Sequence, residues 1–335
     1  MSPFVLFVAV SLSLGKALAV TRSHYSVLAG GTGAAKFLQG LAQVVSEQDI
    51  HVIVNVGDDT DIWGLHVSPD IDSIAYGLAK KLDTTRGWGL EGETFRCLEE
   101  IQAYGMPSWF RLGDRDLATH LARTELLKRG LSLTEVVDRM RTAMGIKSRL
   151  LPATDDPVRT KIETPDGILG FQEFFVRECW RPEVLSVSYS GALQARASEE
   201  VLKSIRDAAI VIIAPSNPIT SIGPMLAIHD LRDALRCTRA EVIAVSPLIG
   251  NAAVSGPAAK LMAACGYEVS PSGIARCYHD FLDNIVLDTR DAALAPSIRY
   301  ETIGVQITDI LMTDQEAARR LAQFVIRVAG PAVTS

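Results

Sequence analysis

The stretch Ser26-Val27-Leu28-Ala29-Gly30-Gly31-Thr32-Gly33-Ala34-Ala35-Lys36, continued by Ile50-His51-Val52-Ile53-Val54-Asn55-Val56, decides the fold. An apolar run meets a glycine turn, a helical segment follows over 34–45, and a second apolar run closes the unit. This is the pattern of strand, helix and parallel strand. Both runs are near-continuous rather than alternating, as strands covered on both faces require. The same pattern returns at Ile210-Val211-Ile212-Ile213 before the 214–224 loop. It returns again at Val242-Ile243-Ala244-Val245 before Ser246-Pro247-Leu248-Ile249-Gly250-Asn251. The class is α/β: a doubly wound, mainly parallel, Rossmann-like sheet. In such sheets the loops leaving the carboxyl ends of strands line the ligand crevice. Glycine lets backbone N–H groups approach an anion, and a helix N-terminus behind the loop adds a favourable dipole. Three such loops predict a phosphorylated or nucleotide-like ligand held largely by backbone.

Between these units, residues 70–190 read as a largely helical insertion. Helices are expected over 71–81, 93–104, 115–129 and 133–144, with a hairpin of strands 160–164 and 168–173 around Pro165-Asp166-Gly167. The strand–helix pattern resumes at 197, with helices over 199–207, 223–235 and 256–265. The expected organisation is an N-terminal extension, 1–25, and one domain over 26–330. The extension carries an apolar run over 4–14 and Ala17-Leu18-Ala19, which resembles a signal-peptide cleavage site. No Lys or Arg precedes that run, so a start at Val20, with the upstream residues an artefact of start assignment, is the preferred reading.

The chain has 335 residues, 48% of them hydrophobic, which is enough to bury a sizeable core. Its net charge of −6 excludes a dominant nucleic-acid surface. No apolar run is long enough for a confident membrane span. The five cysteines form no C-x-x-C pair, which argues against a disulfide framework or zinc site and for a reducing, cytoplasmic compartment.

The glycine loop is not a Walker A motif. Gly31 and Gly33 fit the first two glycines of a dinucleotide fingerprint, but Lys36 stands where the third belongs. Thr32 and Lys36 add donors to a helix N-terminus, so this loop is a candidate phosphate cradle. Asp58, Asp59 and Asp61 form the densest acidic cluster near a strand end. Carboxylates there can hold Mg²⁺, with phosphate oxygens completing its shell, or act as a general base. Asp70 and Asp72 are further candidates, and they read equally well as caps of the helix they flank. The same duality holds for Asp114, Arg115 and Asp116. Ser216, Asn217, Thr220 and Ser221 put polar groups in a loop stiffened by Pro215 and Pro218, which suits recognition of a base or a phosphate. Ser255 reads as a helix cap. The six histidines show no metal spacing and read as structural.

Taken together these motifs resemble the 2-phospho-L-lactate transferases of deazaflavin coenzyme F-420 biosynthesis. The resemblance rests on Ala29–Gly33, Val54-Asn55-Val56-Gly57-Asp58-Asp59, Ser68-Pro69-Asp70-Ile71-Asp72, Arg86-Gly87-Trp88-Gly89, Leu112–His120, Leu151–Val158, Pro215–Pro224, Ser246–Lys260, Phe281-Leu282-Asp283 and Leu311-Met312-Thr313-Asp314. It spans residues 26–325 in register. It implies that the terminal ribityl hydroxyl of the deazaflavin FO attacks a guanosine-diphosphate-linked phospho-acid, that GMP leaves, and that Mg²⁺ is required. It further implies that Gly31, Thr32 and Gly33 cradle the diphosphate. Asp59 then stands beside FO, orienting the hydroxyl or holding metal, and Arg96 matches a second position near FO. Ser216, Asn217 and the Ser246–Asn251 loop, with Gly250, face the guanine nucleotide. The implied partners are these small molecules, with a homodimer as the expected assembly. The family often has cysteine where this chain has Ser68, which argues against a required thiol.

Two other readings compete. Gluconeogenesis-factor-like proteins, which resemble nucleotide-sugar-binding regulators, share the Gly-Gly-Thr-Gly opening. They carry Asp-Asp-Gly-Gly-Ser-Ser-Gly where this chain has Asp58-Asp59-Thr60-Asp61-Ile62-Trp63-Gly64, which favours the transferase. A nicotinamide oxidoreductase is disfavoured by the absent third glycine.

Overall fold

The computed structural model describes residues 24–330 except 251, 255, 299 and 301. The N-terminal extension therefore lies almost wholly outside the described residues, as do Asn251 and Ser255. Seven strands build the central sheet: β1 (His24–Ala29), β2 (Ile50–Val54), β3 (Arg149–Pro152), β4 (Ala208–Ile213), β5 (Glu241–Val245), β6 (Asn284–Asp288) and β7 (Gly304–Thr308). Their spatial order is β3-β2-β1-β4-β5-β6-β7 and every neighbouring pair is parallel. This is the doubly wound Rossmann-like order with a seventh strand, and it reverses between β1 and β4. There Val27 pairs with Val52 on one side and Ile212 on the other. All three are fully buried, together with Leu28, Ile53, Ile243 and Val286, which explains the near-continuous apolar runs.

The sequence pattern assigns no strand to β3, β6 or β7. β3 has four residues and ends in Pro152; β7 reads Gly-Val-Gln-Ile-Thr, the mixed pattern of an exposed edge. β3 falls inside the 70–190 span, so that span is two excursions from the sheet. The first carries a short hairpin (Thr60–Ile62 with Leu65–Val67) and then four helices. The second is a three-stranded antiparallel sheet of Gly167–Gly170, Arg159–Thr164 and Ser186–Ser190.

Helix α1 (Gly31–Leu41) follows β1 directly. Helices α2 (Pro69–Leu78), α3 (Arg96–Ala103), α4 (Asp114–Lys128) and α5 (Leu133–Ala143) follow β2. The start of α5 is set by a capping box between Ser132 and Glu135. The helix expected over 223–235 is broken: it begins as a π turn at Pro218–Ile222, runs over Gly223–Leu226 and restarts at His229–Cys237. The Asn217 side chain caps the early start, and Ile228 leaves helical geometry (ψ 114°) where its side chain is buried in the core. Among the described residues no helix is long and apolar enough to cross a membrane. All five cysteines are free.

α1 packs against α2 and against the C-terminal helix Gln315–Val328. Gly40 permits the second contact: a Cβ there would lie 2.3 Å from the backbone carbonyl of Ala318. Gly40→Ala should therefore lower stability by about 1–3 kcal/mol despite alanine's better helix propensity, as read by urea unfolding.

Candidate active site

The site forms where the strand order reverses, because the loops after β1 and β4 leave the sheet side by side there. Hydrogen bonds lace them together. Gly30 N–H donates to Ser216 Oγ at 3.2 Å, and Ser216 Oγ–H donates to Gly30 O at 2.8 Å. The glycines are demanded by close approach: a Cβ on Gly33 would lie 2.7 Å from Pro215 O, and one on Gly30 would lie 2.4 Å from Asp70 Oδ2. Gly31 has a φ of +74°, the left-handed region that favours glycine. Its N–H donates to Asp70 Oδ1 at 2.8 Å. The first turn of α1 contains no acidic residue of its own; the Asp70 carboxyl is the acid at its N-terminal dipole.

Asn55, fully buried just past β2, ties three segments to this turn. Its Nδ2 donates to Asp70 Oδ2 at 2.9 Å and to Thr220 O at 3.1 Å, and its Oδ1 accepts from Gly57 N–H at 2.8 Å. Both oxygens of Asp70 are thus engaged in holding the glycine turn and Asn55. Burial pushes the Asp70 carboxyl up to about 6, against the hydrogen bonds from Asn55 and Gly31.

Asp58 and Asp59 differ from Asp70. They are 5% and 4% exposed, and Oδ1 of each is buried without a hydrogen-bond partner. Burial, and next the charge of Asp70, hold the Asp58 carboxyl well above the usual carboxylate range. Asp59 uses only Oδ2, which accepts from His66 Nε2 at 3.0 Å and from Ser68 Oγ at 3.1 Å. Two adjacent orphan carboxylate oxygens are costly in a folded protein unless a cation or a donor arrives. Among the described residues no group of three or more His, Cys, Asp or Glu side chains is gathered for a metal. Mg²⁺ does not need such a group: one or two carboxylates, water and substrate phosphates complete its shell. Asp58 and Asp59 fit that requirement.

These elements open into one cleft of about 770 Å³. Gly31, Thr32, Gly33, Lys36, Asp58, Asp70, Ser216, Asn217 and Ser246 line it. Asp59, Arg96 and Gly250 do not: Asp59 Oδ2 is held by His66 and Ser68, and Gly250 N–H is taken by Asp291 Oδ1 at 2.7 Å. Arg96 is exposed at the start of α3, with its backbone N–H on Asp114 Oδ2 at 3.2 Å. Arg111 reaches the cleft instead, with its guanidinium 4.9 Å from the centre of the Phe95 ring. The side chains of Asn217 and Ser246 organise their own loops. Asn217 Oδ1 accepts from Ile219 and Thr220 N–H at 2.9 and 3.3 Å, and Ser246 Oγ accepts from Leu248 N–H at 3.1 Å. The excursions add aromatic side chains to the wall, Trp88, Trp109, Phe110, Phe171 and Phe175, and the segment after β7 adds Ile310, Leu311 and Met312.

A buried network joins two of the candidate acids, Asp72 and Asp116, to Tyr76, His120 and Arg123, which motif reading did not single out; all but Arg123 line the same cleft. Arg123, 1% exposed, pairs with Asp72 on α2, its Nη1 3.0 Å from Oδ2 and its Nη2 on Oδ1. Nη1 also lies 3.2 Å from His120 Nδ1. Because guanidinium only donates, His120 Nδ1 accepts there, and its Nε2, 3.3 Å from Asp116 Oδ1, carries the proton. Tyr76 O–H donates to Asp116 Oδ1 at 2.6 Å. The signal in the chain was the spacing Asp116, His120, Arg123, which puts all three on one face of α4.

Comparison with known proteins gives the family. Residues 26–327 match the family model described as 2-phospho-L-lactate transferase CofD. The chain is 43% identical over 302 residues to a 2-phospho-L-lactate transferase of Methanosarcina acetivorans, spanning 90% of this chain and 97% of that one. It is 42% identical over 309 residues to a 2-phospho-L-lactate transferase of Methanocaldococcus jannaschii, spanning 91% and 98%. It is 38% identical over 309 residues to a phosphoenolpyruvate transferase of Streptomyces griseus, spanning 90% and 97%. Among solved structures, a UPF0052 protein of Bacillus halodurans superposes with a TM-score of 0.61 at 16% identity over 91% of this chain and 98% of that one, a likeness of fold. The chain belongs to the 2-phospho-L-lactate transferase family and is a transferase.

Proposed function

We propose that this enzyme transfers a phospho-acid from a guanosine-diphosphate-linked donor to the ribityl hydroxyl of the deazaflavin FO, releasing GMP in coenzyme F-420 biosynthesis. The observation that carries the reading is the pairing, in one cleft, of a phosphate-type turn with a broad aromatic wall. The α1 turn, with Thr32 and Lys36, suits a diphosphate. Trp88, Trp109, Phe110, Phe171 and Phe175 suit a flat tricyclic acceptor. In the reaction the hydroxyl oxygen bonds to the phosphorus carrying the acid, and the bridging P–O bond to GMP breaks. The protein's task is positioning and charge neutralisation. Asp59 orients the attacking hydroxyl, and Asp58 and Asp59 would hold Mg²⁺. When bound, that ion neutralises the diphosphate and the charge developing on GMP. The relatives' names support 2-phospholactate and phosphoenolpyruvate as acids, and 3-phosphoglycerate differs from these by few atoms. A cytoplasmic homodimer is the proposed setting.

The test is the full chain with FO, Mg²⁺ and each guanylated acid, products identified by mass. A phospho-acid–FO adduct with GMP supports the reading and names the donor. No adduct with any donor, from folded protein, overturns it in favour of a nucleotide-sugar-binding regulator.

A further inference from the structure

Asp59 presents its two oxygens unequally, and the cause is a residue that the motifs treat as structural. Oδ2 takes both available donors, His66 Nε2 at 3.0 Å and Ser68 Oγ at 3.1 Å, while Oδ1 takes none. A carboxylate with one oxygen doubly bonded cannot rotate freely about its terminal torsion. Its second oxygen then points in one direction whether or not a ligand is present.

The backbone of His66 is itself held from outside the site. His66 lies on the short strand Leu65–Val67, which pairs back on Thr60–Ile62 just after Asp59. Its backbone N–H donates to Thr124 Oγ1 at 2.8 Å, and its carbonyl accepts from Arg123 Nη1 at 3.5 Å. Both partners sit on α4, and Arg123 is fastened to α2 through Asp72. So α4, whose Asp116 and His120 line the cleft, also fixes the backbone that carries the His66 ring.

We infer that His66 is a positioning residue for the transfer reaction: it occupies Asp59 Oδ2 so that Oδ1 alone is left without a partner, for the cation or the attacking hydroxyl. The inference rests on the reading of Asp59 given above. It goes beyond that reading by assigning a role to His66 and by tying the α4 wall to the reacting centre. Ser68 is the second donor to the same oxygen.

The experiment compares His66→Ala and His66→Gln with the unaltered chain, each as full-length protein. Glutamine places an N–H donor where Nε2 stands; alanine removes it. Partners one shell out from a reacting or metal-binding group change activity or metal affinity by about 10–100-fold. His66→Ala should lower kcat by that amount with KM for the guanylated donor little changed, and should weaken binding of Mn²⁺ alone, read by electron paramagnetic resonance. His66→Gln should restore most of both, with thermal midpoints of the two variants alike. Unchanged kcat and Mn²⁺ affinity in His66→Ala would overturn the inference. So would a His66→Gln protein as impaired as His66→Ala, because then the ring's packing rather than its donor matters. If the unaltered chain forms no adduct, the functional reading falls, while the Mn²⁺ measurement still decides for or against His66.

Discussion

Asp58→Asn is expected to make the metal-free protein more stable at pH 8 while lowering transfer activity by about 10²–10³-fold, the usual cost of removing one preorganised charge-stabilising group. The two effects have one origin. Burial and the neighbouring Asp70 charge raise the Asp58 pKa well above the usual range, and Oδ1 has no partner. A carboxyl whose folded pKa is raised binds its proton more tightly in the native state than in the unfolded one. That stability is fully present below the ordinary carboxyl pKa and is lost as pH rises through the folded pKa. Asp70 acts in the same direction. With its pKa raised from 3.8 to about 6, stability falls between those values by up to about 3 kcal/mol. Asparagine removes the charge at 58 and with it part of this loss. Melting midpoints from pH 4 to 8 should therefore decline for the unaltered chain without Mg²⁺ and decline less for Asp58→Asn. Added Mg²⁺ should raise the midpoint of the unaltered chain at pH 8 and not at pH 4, where the Asp58 carboxyl is protonated. Full activity in Asp58→Asn, or a lower midpoint than the parent at pH 8, would contradict the assignment.

Arg123→Met should destabilise the protein by about 3–5 kcal/mol, the loss typical of breaking a buried ion pair from one side. The guanidinium lies in the interior against Asp72, and its removal leaves that carboxylate buried beside Asp59 and Asp116 without a counter-charge. His120 Nδ1 and the His66 carbonyl lose a donor at the same time. Removing both members of the pair should cost less than removing one. Asp72→Leu with Arg123→Met is expected to recover a large part of the lost stability, because the uncompensated charge leaves with its partner. Urea midpoints of the two single variants and the double variant measure the coupling. Additive losses would show that Arg123 acts by packing rather than by charge.

Legibility in the linear chain followed distance along it. The β1–glycine turn–α1–β2 unit is a local pattern of apolar period and turn residues, and so are the runs that became β4 and β5. The acidic cluster at the end of β2 was visible for the same reason. β3 and β7 were not, because a four-residue strand and a mixed edge strand carry too little period to separate from loop. The break at Ile228 was hidden because nothing nearby in sequence says that its side chain must enter the core.

The roles of individual polar groups depended on partners far away in the chain. Gly30 and Ser216, which exchange two hydrogen bonds, are 186 residues apart; Asn55 reaches Thr220 across 165. Arg123 meets Asp72 across 51 residues, and Asp70 meets Gly31 across 39. Whether a carboxylate is satisfied, like Asp70, or left with an orphan oxygen, like Asp58 and Asp59, is a matter of which donors packing brings within reach. Burial, which raises the first two of these carboxyls, belongs likewise to the packed molecule. The α/β class, the glycine turn and the family are therefore written in local pattern, which needs no third dimension to be read. The division of labour among Asp58, Asp59 and Asp70, and the places of His66 and Arg123, arise only on folding, because desolvation and long-range hydrogen bonding have no counterpart in the extended chain.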